Sequence, residues 1–259
     1  MRHIPRKRFG QHFLHDPYII GKILAAVAPK PGDALVEIGP GLGAITLPLL
    51  ELAGELTAIE LDRDVIPPLE AAAAPKGRLR IVQGDALEVA LSPFAPAGGK
   101  LRLVGNLPYN VSTPLLFHFL DEADCVQDMH FMLQKEVVQR MAARPGGKEY
   151  GRLTVMLASR CKVEPLFNIG PGAFRPPPKV DSAFVRLTPY ATPPFPIADR
   201  TRYAAVVTRA FSHRRKTLKN ALAGLVDEAA IIAAGIDPKT RPETLSASDY
   251  ARLSNLESV

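Results

Sequence analysis

Through the first half of the chain, short apolar runs alternate with longer stretches of helical periodicity. Leu35-Val36-Glu37-Ile38 reads as a strand and Ala44 to Leu52 as a helix. Leu56 to Leu61 is a second strand, and Val65 to Ala74 a second helical stretch. Leu79 to Val82 and Leu101 to Val104 follow as the third and fourth strands. Strand, helix, strand at this spacing predicts a parallel sheet with covering helices, since parallel neighbours need a long crossover. Met129 to Leu133 predicts a fifth strand that runs into a helix from Lys135 to Ala143. Gly151 to Arg160 predicts another helix, and Val163 to Phe167 and Ala183 to Leu187 two further short strands.

Proline punctuates the second half. Arg175-Pro176-Pro177-Pro178 predicts a rigid extended loop, because each ring fixes its own backbone and restrains the residue before it. Pro189 to Pro196 reads as a linker. Beyond it the composition shifts to helix formers, with helices expected over Arg202 to Leu225 and Glu228 to Ala234. This pattern predicts two domains, residues 1–189 and residues 190–259.

Composition narrows the picture. At 259 residues, 47% hydrophobic and 22% charged, the chain can bury an ordinary globular core. No apolar run approaches a membrane span, and the basic N-terminus leads into no apolar signal core, so the expected location is cytoplasmic, away from membranes. Neither the two cysteines nor the six histidines show metal-ligand or disulfide-framework spacing, so no metal site is expected. The net charge of +6 is unevenly spread. Arg2, Arg6, Lys7 and Arg8 precede the first acid, Asp16, and residues 200–219 carry seven Arg and Lys with no acid among them. Two separate acid-free basic segments point to a polyanionic partner, with nucleic acid the natural candidate.

The first predicted strand runs into Gly39-Pro40-Gly41-Leu42-Gly43-Ala44. Glycines there let backbone approach a ligand closely, and the following helix supplies unpaired N–H groups. The pattern also fits a dinucleotide site. What separates the readings is the polar residue at or near each strand end: Glu37, Glu60, Asp85 and Asn106. In an open parallel sheet, ligands bind outside the carboxyl ends of the strands. Glu60 suits two ribose hydroxyls, Asp85 beside Ala86 an adenine amine, and Glu37 a cationic amino group. That set fits adenosine joined to an amino acid, as in S-adenosylmethionine. A hydride-transfer enzyme has no evident use for Asn106-Leu107-Pro108-Tyr109.

Gly105-Asn106-Leu107-Pro108-Tyr109-Asn110 resembles the catalytic loop of enzymes that methylate the amino groups of nucleobases. The N6 lone pair of adenine is delocalised into its ring. An Asn side-chain oxygen and a main-chain carbonyl, each accepting one N–H, can turn that lone pair toward a methyl donor. Pro108 stiffens the loop around the Leu107 carbonyl, and Tyr109 offers a face for a base taken out of its stack.

Across nearly the whole chain, the sequence is similar to the small-subunit ribosomal RNA adenine dimethyltransferases, the kasugamycin-sensitivity enzymes. The motifs are Arg6 to Leu14, Val36 to Leu42, Ile59-Glu60-Leu61-Asp62, Gly105 to Leu116, Met129 to Glu136, Pro176 to Ser182 and Arg214 to Leu218. The resemblance implies an α/β, Rossmann-like class I methyltransferase fold with a mainly parallel seven-stranded sheet and a small helical C-terminal domain. It implies a monomer that uses S-adenosylmethionine, releases S-adenosylhomocysteine, and dimethylates N6 of two adjacent adenosines. The substrate would be a hairpin near the 3′ end of small-subunit RNA in an assembling ribosomal subunit.

Carried over by motif, His12, Leu14, Gly39, Gly41, Glu60, Asp85, Ala86 and Asn106 meet the cofactor. Whether His12 does so by side chain or main chain stays open. Asn106, Leu107, Pro108 and Tyr109 hold the target base, with Phe174 on its other face. Arg6, Lys7, Arg8, Arg214, Arg215, Lys216 and Lys219 are the expected RNA contacts, binding phosphate without reading sequence. The competing expectations are a large-subunit RNA methyltransferase of the antibiotic-resistance type, a DNA adenine methyltransferase, and an assembly factor that has lost turnover.

Overall fold

The structure, a computed structural model, describes residues 12–256. The basic residues Arg6, Lys7 and Arg8 lie outside the described residues. Two compact units emerge, one of residues up to Val138 plus Glu164–Pro189, the other of Gln139–Val163 plus the chain from Tyr190 onward.

The first unit opens with a two-residue strand, β1 (Phe13–Leu14), and helix α1 (Pro17–Val27). Asp16 starts α1 by accepting the N–H groups of Tyr18 and Ile19, with Pro17 at the first helical position, where no N–H is needed. Then follow β2 (Ala34–Ile38), α2 (Thr46–Ala53), β3 (Glu55–Glu60), α3 (Ile66–Ala73), β4 (Arg78–Gln83), β5 (Leu101–Asn106), α4 (Ser112–Asp121) and β6 (Val126–Gln134). Helices α5 (Lys135–Met141) and α6 (Arg152–Ala158) lead to β7 (Cys161–Ile169), β8 (Phe174–Arg175) and β9 (Ser182–Pro189).

Seven strands form one sheet in the order β4-β3-β2-β5-β6-β9-β7, while β1 pairs separately with β8. The pairs among β4, β3, β2, β5 and β6 are parallel, and β9 joins β6 antiparallel. The chain winds outward from β2 through β3 to β4, then returns to β5 on the other side of β2. The strand order therefore reverses between β2 and β5, where such sheets open a crevice at their carboxyl edge. Buried on both faces, the central strands are nearly continuous apolar runs; Leu101, Leu103, Val104 and Gly105 of β5 are all buried.

At the opposite edge, Arg102 reaches Asp33 at 2.8 Å, Asp128 at 3.1 Å and the carbonyl of Val27 at 2.7 Å. Burial alone would push the Asp128 carboxyl up. Contacts with His130 and Arg102 outweigh it and hold the group below its usual range.

The second unit has its own core, in which Tyr150 and Val155 pack with Tyr203, Val206, Leu218 and Tyr250. Its later helices are α7 (Arg200–Ser212), α8 (Leu218–Ala221), α9 (Glu228–Ala233) and α10 (Ala247–Asn255). Each buried phenol finds a carbonyl: Tyr150 at Leu245, Tyr203 at Val155 and Tyr250 at Pro242.

Two expectations need correcting. The division at residue 190 assigned Gln139–Val163 to the first domain; the structure groups this segment with the helical unit, because Tyr150 and Val155 belong to that core. A single helix over Arg202 to Leu225 is also wrong. The helix stops at His213, and α8 starts afresh with Leu218 and Lys219 donating their N–H groups to the carbonyls of Thr240 and Pro238. No helix among the described residues is long and apolar enough to cross a membrane.

Candidate active site

A cavity of about 800 Å³ opens at the carboxyl ends of β2, β3 and β5. It is within the usual size of a small-molecule site. Glu37, Gly39, Gly41, Glu60, Asp85, Ala86, Asn106, Leu107, Pro108 and Tyr109 line it, together with His12 and Leu14.

The glycine loop is tied to the neighbouring strand. Gly39 donates its N–H to Ile59 O at 2.9 Å. Glu60, at the end of β3, accepts the N–H groups of Gly41 at 3.1 Å and Asp62 at 2.8 Å. Gly41 has φ +55°, and a Cβ there would lie 3.0 Å from the Phe13 ring. Glycine is favoured on both counts, for the left-handed backbone and for the close approach of the Phe13 ring. Asp85 closes the next turn by accepting from Leu87 N at 2.9 Å.

Glu37 is 2% exposed, and its Oε2 has no hydrogen-bond partner among the described residues. Burial pushes its carboxyl up to about 8; the Thr46 hydroxyl pulls the other way and the nearby Glu60 charge adds to the rise. Thr46 Oγ1 likewise has no hydrogen-bond partner among the described residues. An acid held this way is neutral at neutral pH until a cation arrives.

Asn106 ends β5. Its Nδ2 donates to the main-chain carbonyl of His12 at 3.0 Å, which commits the amide nitrogen and leaves Oδ1 as the acceptor for an incoming donor. Leu107 is 1% exposed, and its N–H is held by Met132 O at 3.2 Å. The His12 ring lies over the Tyr109 ring, centroids 6.0 Å apart and planes 26° from parallel, while His12 Nδ1 sits 2.8 Å from Pro176 O. Ring and carbonyl of His12 therefore both face the site.

Phe174 does not. It is 1% exposed, packed in the core with Ile19 and Phe184, and absent from the cavity wall. The β1–β8 pairing sets Phe174 opposite Leu14 and holds its ring in that core, so the expected stacking role is not met in this arrangement.

The basic cluster in the helical unit is divided. Arg214 donates to Gly147 O at 3.3 Å and lies 3.9 Å from Glu243, and Lys219 lies 3.5 Å from Glu228. Arg215 and Lys216 are exposed.

Phe13, Leu42, Leu61, Arg175 and Pro176 also line the cavity and were not singled out from sequence. Phe13, Leu42, Leu61 and Pro176 fall inside the family motifs, which is the available signal. No group of three His, Cys, Asp or Glu with metal-binding geometry occurs among the described residues.

The donors and acceptors around this cavity suit an adenosine with an attached amino acid. Comparison with known proteins points the same way. The family described as Ribosomal RNA adenine dimethylase matches residues 2–258. A Ribosomal RNA small subunit methyltransferase A from Xanthomonas campestris pv. campestris (strain B100) is 58% identical over 252 residues, covering 97% of this chain and 96% of the relative. A protein of the same name from Pseudomonas aeruginosa is 53% identical over 254 residues, covering 98% and 95%. Among solved structures, a dimethyladenosine transferase from Plasmodium falciparum superposes with a TM-score of 0.78 at 27% identity, covering 93% of this chain and 96% of that one. The 23S rRNA methyltransferase ErmE gives 0.72 at 26% identity, covering 93% and 98%. The sheet is thus the Rossmann-like α/β sheet of S-adenosylmethionine-dependent methyltransferases. With a match that leaves only the terminal residues uncovered, this chain belongs to the ribosomal RNA adenine dimethylase family.

Proposed function

We propose that this enzyme binds S-adenosylmethionine in the cavity at the β2–β5 crevice. There it dimethylates N6 of two adjacent adenosines in a hairpin near the 3′ end of small-subunit ribosomal RNA. It acts in the cytoplasm, as a monomer, on an assembling subunit. The observation that carries the reading is the Asn106 amide. It is clamped through Nδ2 by His12 O and stands beside Leu107 and Tyr109 on the wall of the cavity.

Glu60 and Asp85 are placed to take ribose hydroxyls and an adenine amine, and the partnerless Glu37 Oε2 fits a cationic amino group. When bound, the cofactor supplies an electrophilic sulfonium methyl, whose bond to sulfur breaks as the bond to N6 forms, so that no metal ion is asked for. Asn106 Oδ1 and the Leu107 carbonyl each accept one N6–H, which draws the nitrogen toward tetrahedral geometry and localises its lone pair toward the methyl donor. Tyr109 holds the base by its face. Positioning and local electrostatics then carry the rate, and the surplus N6 proton leaves to solvent after transfer. Exposed Arg215 and Lys216 supply phosphate contacts in the helical unit.

The large-subunit alternative shares the fold, as the ErmE superposition illustrates. The gap between 58% identity to a small-subunit relative and 26% to ErmE favours the small subunit. The test is transfer of radiolabelled methyl to small subunits lacking the modification, with large subunits and DNA alongside and nucleoside analysis of the product. Expected is N6,N6-dimethyladenosine on small subunits alone; label on large subunits, or on none, overturns the proposal.

Glu37 predicts a pH dependence. Below about pH 8 the free enzyme holds it protonated, and a cationic ligand favours its ionised form, so binding releases a proton. Affinity for the cofactor should therefore rise from pH 6 toward pH 8, by at most about tenfold per unit for one linked proton. The rise ends where the ligand's own amino group starts to lose its proton, near about pH 8. Calorimetric titration in buffers of different ionisation enthalpy reads both affinity and proton count. Glu37→Gln should bind more weakly at pH 8 and show a flat profile; an unchanged slope in that variant removes Glu37 from the linkage.

A further inference from the structure

Tyr109 is anchored at both ends. Its phenol oxygen lies 2.6 Å from Ser182 Oγ, and its main-chain carbonyl accepts from Ser112 Oγ at 3.2 Å. Ser182 is fully buried and Ser112 is 2% exposed. Ser182 is also the first residue of β9, opposite Gln134 in the β6–β9 ladder, so the sheet rather than a loop sets where its hydroxyl stands. A tyrosine in a loop otherwise turns among rotamers, and each turn of χ1 or χ2 would tilt any base stacked on it. The reaction tolerates little tilt, since displacing the reacting atoms by about 1 Å can cost about 10²-fold.

We infer that Ser182 is a positioning residue for methyl transfer, its buried hydroxyl fixing the direction in which the Tyr109 ring projects from the loop so that the stacked adenine presents N6 to Asn106. The inference rests on the reading of Tyr109 as the stacking face. The His12 ring lies beside Tyr109, centroids 6.0 Å apart and planes 26° from parallel, while the phenol stays on Ser182. The hydroxyl pair sits at the far end of the ring from the backbone, and the Ser112 contact holds the near end. Together they fix the line from backbone to phenol oxygen, so χ1 cannot change rotamer without breaking the bond to Ser182.

A merely structural hydroxyl predicts lost stability without a coupled kinetic effect. Ser182→Ala, Tyr109→Phe and the double variant would be compared with wild type for methyl transfer to unmodified small subunits. Cofactor affinity and thermal unfolding would be measured on the same preparations. Each single variant removes the same hydrogen bond, so each should lose about tenfold in kcat, the scale of one such bond. Cofactor Kd should stay within about twofold, and the double variant should be no worse than either single one. Losses that multiply to about a hundredfold, a Ser182→Ala enzyme with wild-type kcat, or a loss that follows cofactor Kd overturns the inference. If Ser182→Ala does not fold, Tyr109→Phe carries the test, since full kcat without the phenol oxygen is equally fatal. Wild type that transfers no methyl overturns the proposed function itself; wild type active with unaffected variants overturns only the role of Ser182.

Discussion

Asn106→Ala should lower kcat for methyl transfer by about 10²–10³-fold while cofactor affinity changes far less. The variant loses the Oδ1 acceptor for one N6–H. The lone pair of adenine N6 then stays conjugated with the ring, and the remaining carbonyl of Leu107 fixes only one of the two hydrogens. Removing one pre-placed hydrogen-bonding group from a site where charge develops costs about that factor elsewhere. Stability should suffer little, because the deletion frees one carbonyl, that of His12, at about 1 kcal/mol. Asn106→Asp separates the two ends of the amide. It keeps an acceptor but replaces the donor to His12 O with a second oxygen, so the carbonyl and carboxylate repel and the loop shifts. It should bind cofactor more weakly than Asn106→Ala and still transfer poorly. Single-turnover rates with saturating cofactor, alongside equilibrium binding, distinguish these outcomes. Full transfer by Asn106→Ala would mean that the amide is not the acceptor.

Local pattern made the cavity wall legible. Glu37, Glu60 and Asn106 each interrupt an apolar run at or next to its carboxyl end, and in a parallel sheet those ends converge on one edge whatever the details of packing. Phe174 shows the limit of that logic. Its neighbour Pro176 faces the cavity, yet its own ring is turned into the core by pairing with Leu14, a contact 160 positions away that two-residue strands do not announce. The same holds for Arg214, which meets Gly147 and Glu243, where sequence shows only a run of cations. The fresh start at Leu218 uses carbonyls of Thr240 and Pro238, which take the N–H groups of Leu218 and Lys219 where propensity favours one unbroken helix. Gln139–Val163 joined the helical unit through Tyr150 and Val155, a choice of core rather than of composition. The helices at Pro17–Val27 and Ala247–Asn255 were missed despite clear starts, the Asp16-Pro17 cap and the Ser246–Asp249 capping box.

Gly105→Ala should damage fold and chemistry together. Gly105 pairs with Ile38 at the carboxyl end of the β2–β5 ladder, Gly105 one residue before Asn106 and Ile38 one residue before the glycine loop. A Cβ there would stand 2.5 Å from Ile38 O and 3.3 Å from Ile38 C and Cβ. The obstacle is backbone, so no side chain can swing aside, and the two strands must part. Overpacking of this kind costs about 1–3 kcal/mol, which for a chain of this size lowers Tm by roughly 2–10 °C. Parting β5 from β2 also moves Asn106 relative to Gly39 and Gly41, and a displacement near 1 Å is enough for about a 10²-fold loss of rate. Gly21→Ala is the matching control. Gly21 lies inside α1, a Cβ there meets nothing within 4 Å, and alanine should leave activity intact and raise stability by up to about 1 kcal/mol. Thermal unfolding and transfer rate for the two variants place the effect. If Gly105→Ala unfolds and turns over like wild type, β2 and β5 do not approach as closely as the ladder requires. If it loses stability but keeps its rate, Asn106 is held by the His12 carbonyl and the Leu107–Met132 hydrogen bond rather than by its own strand.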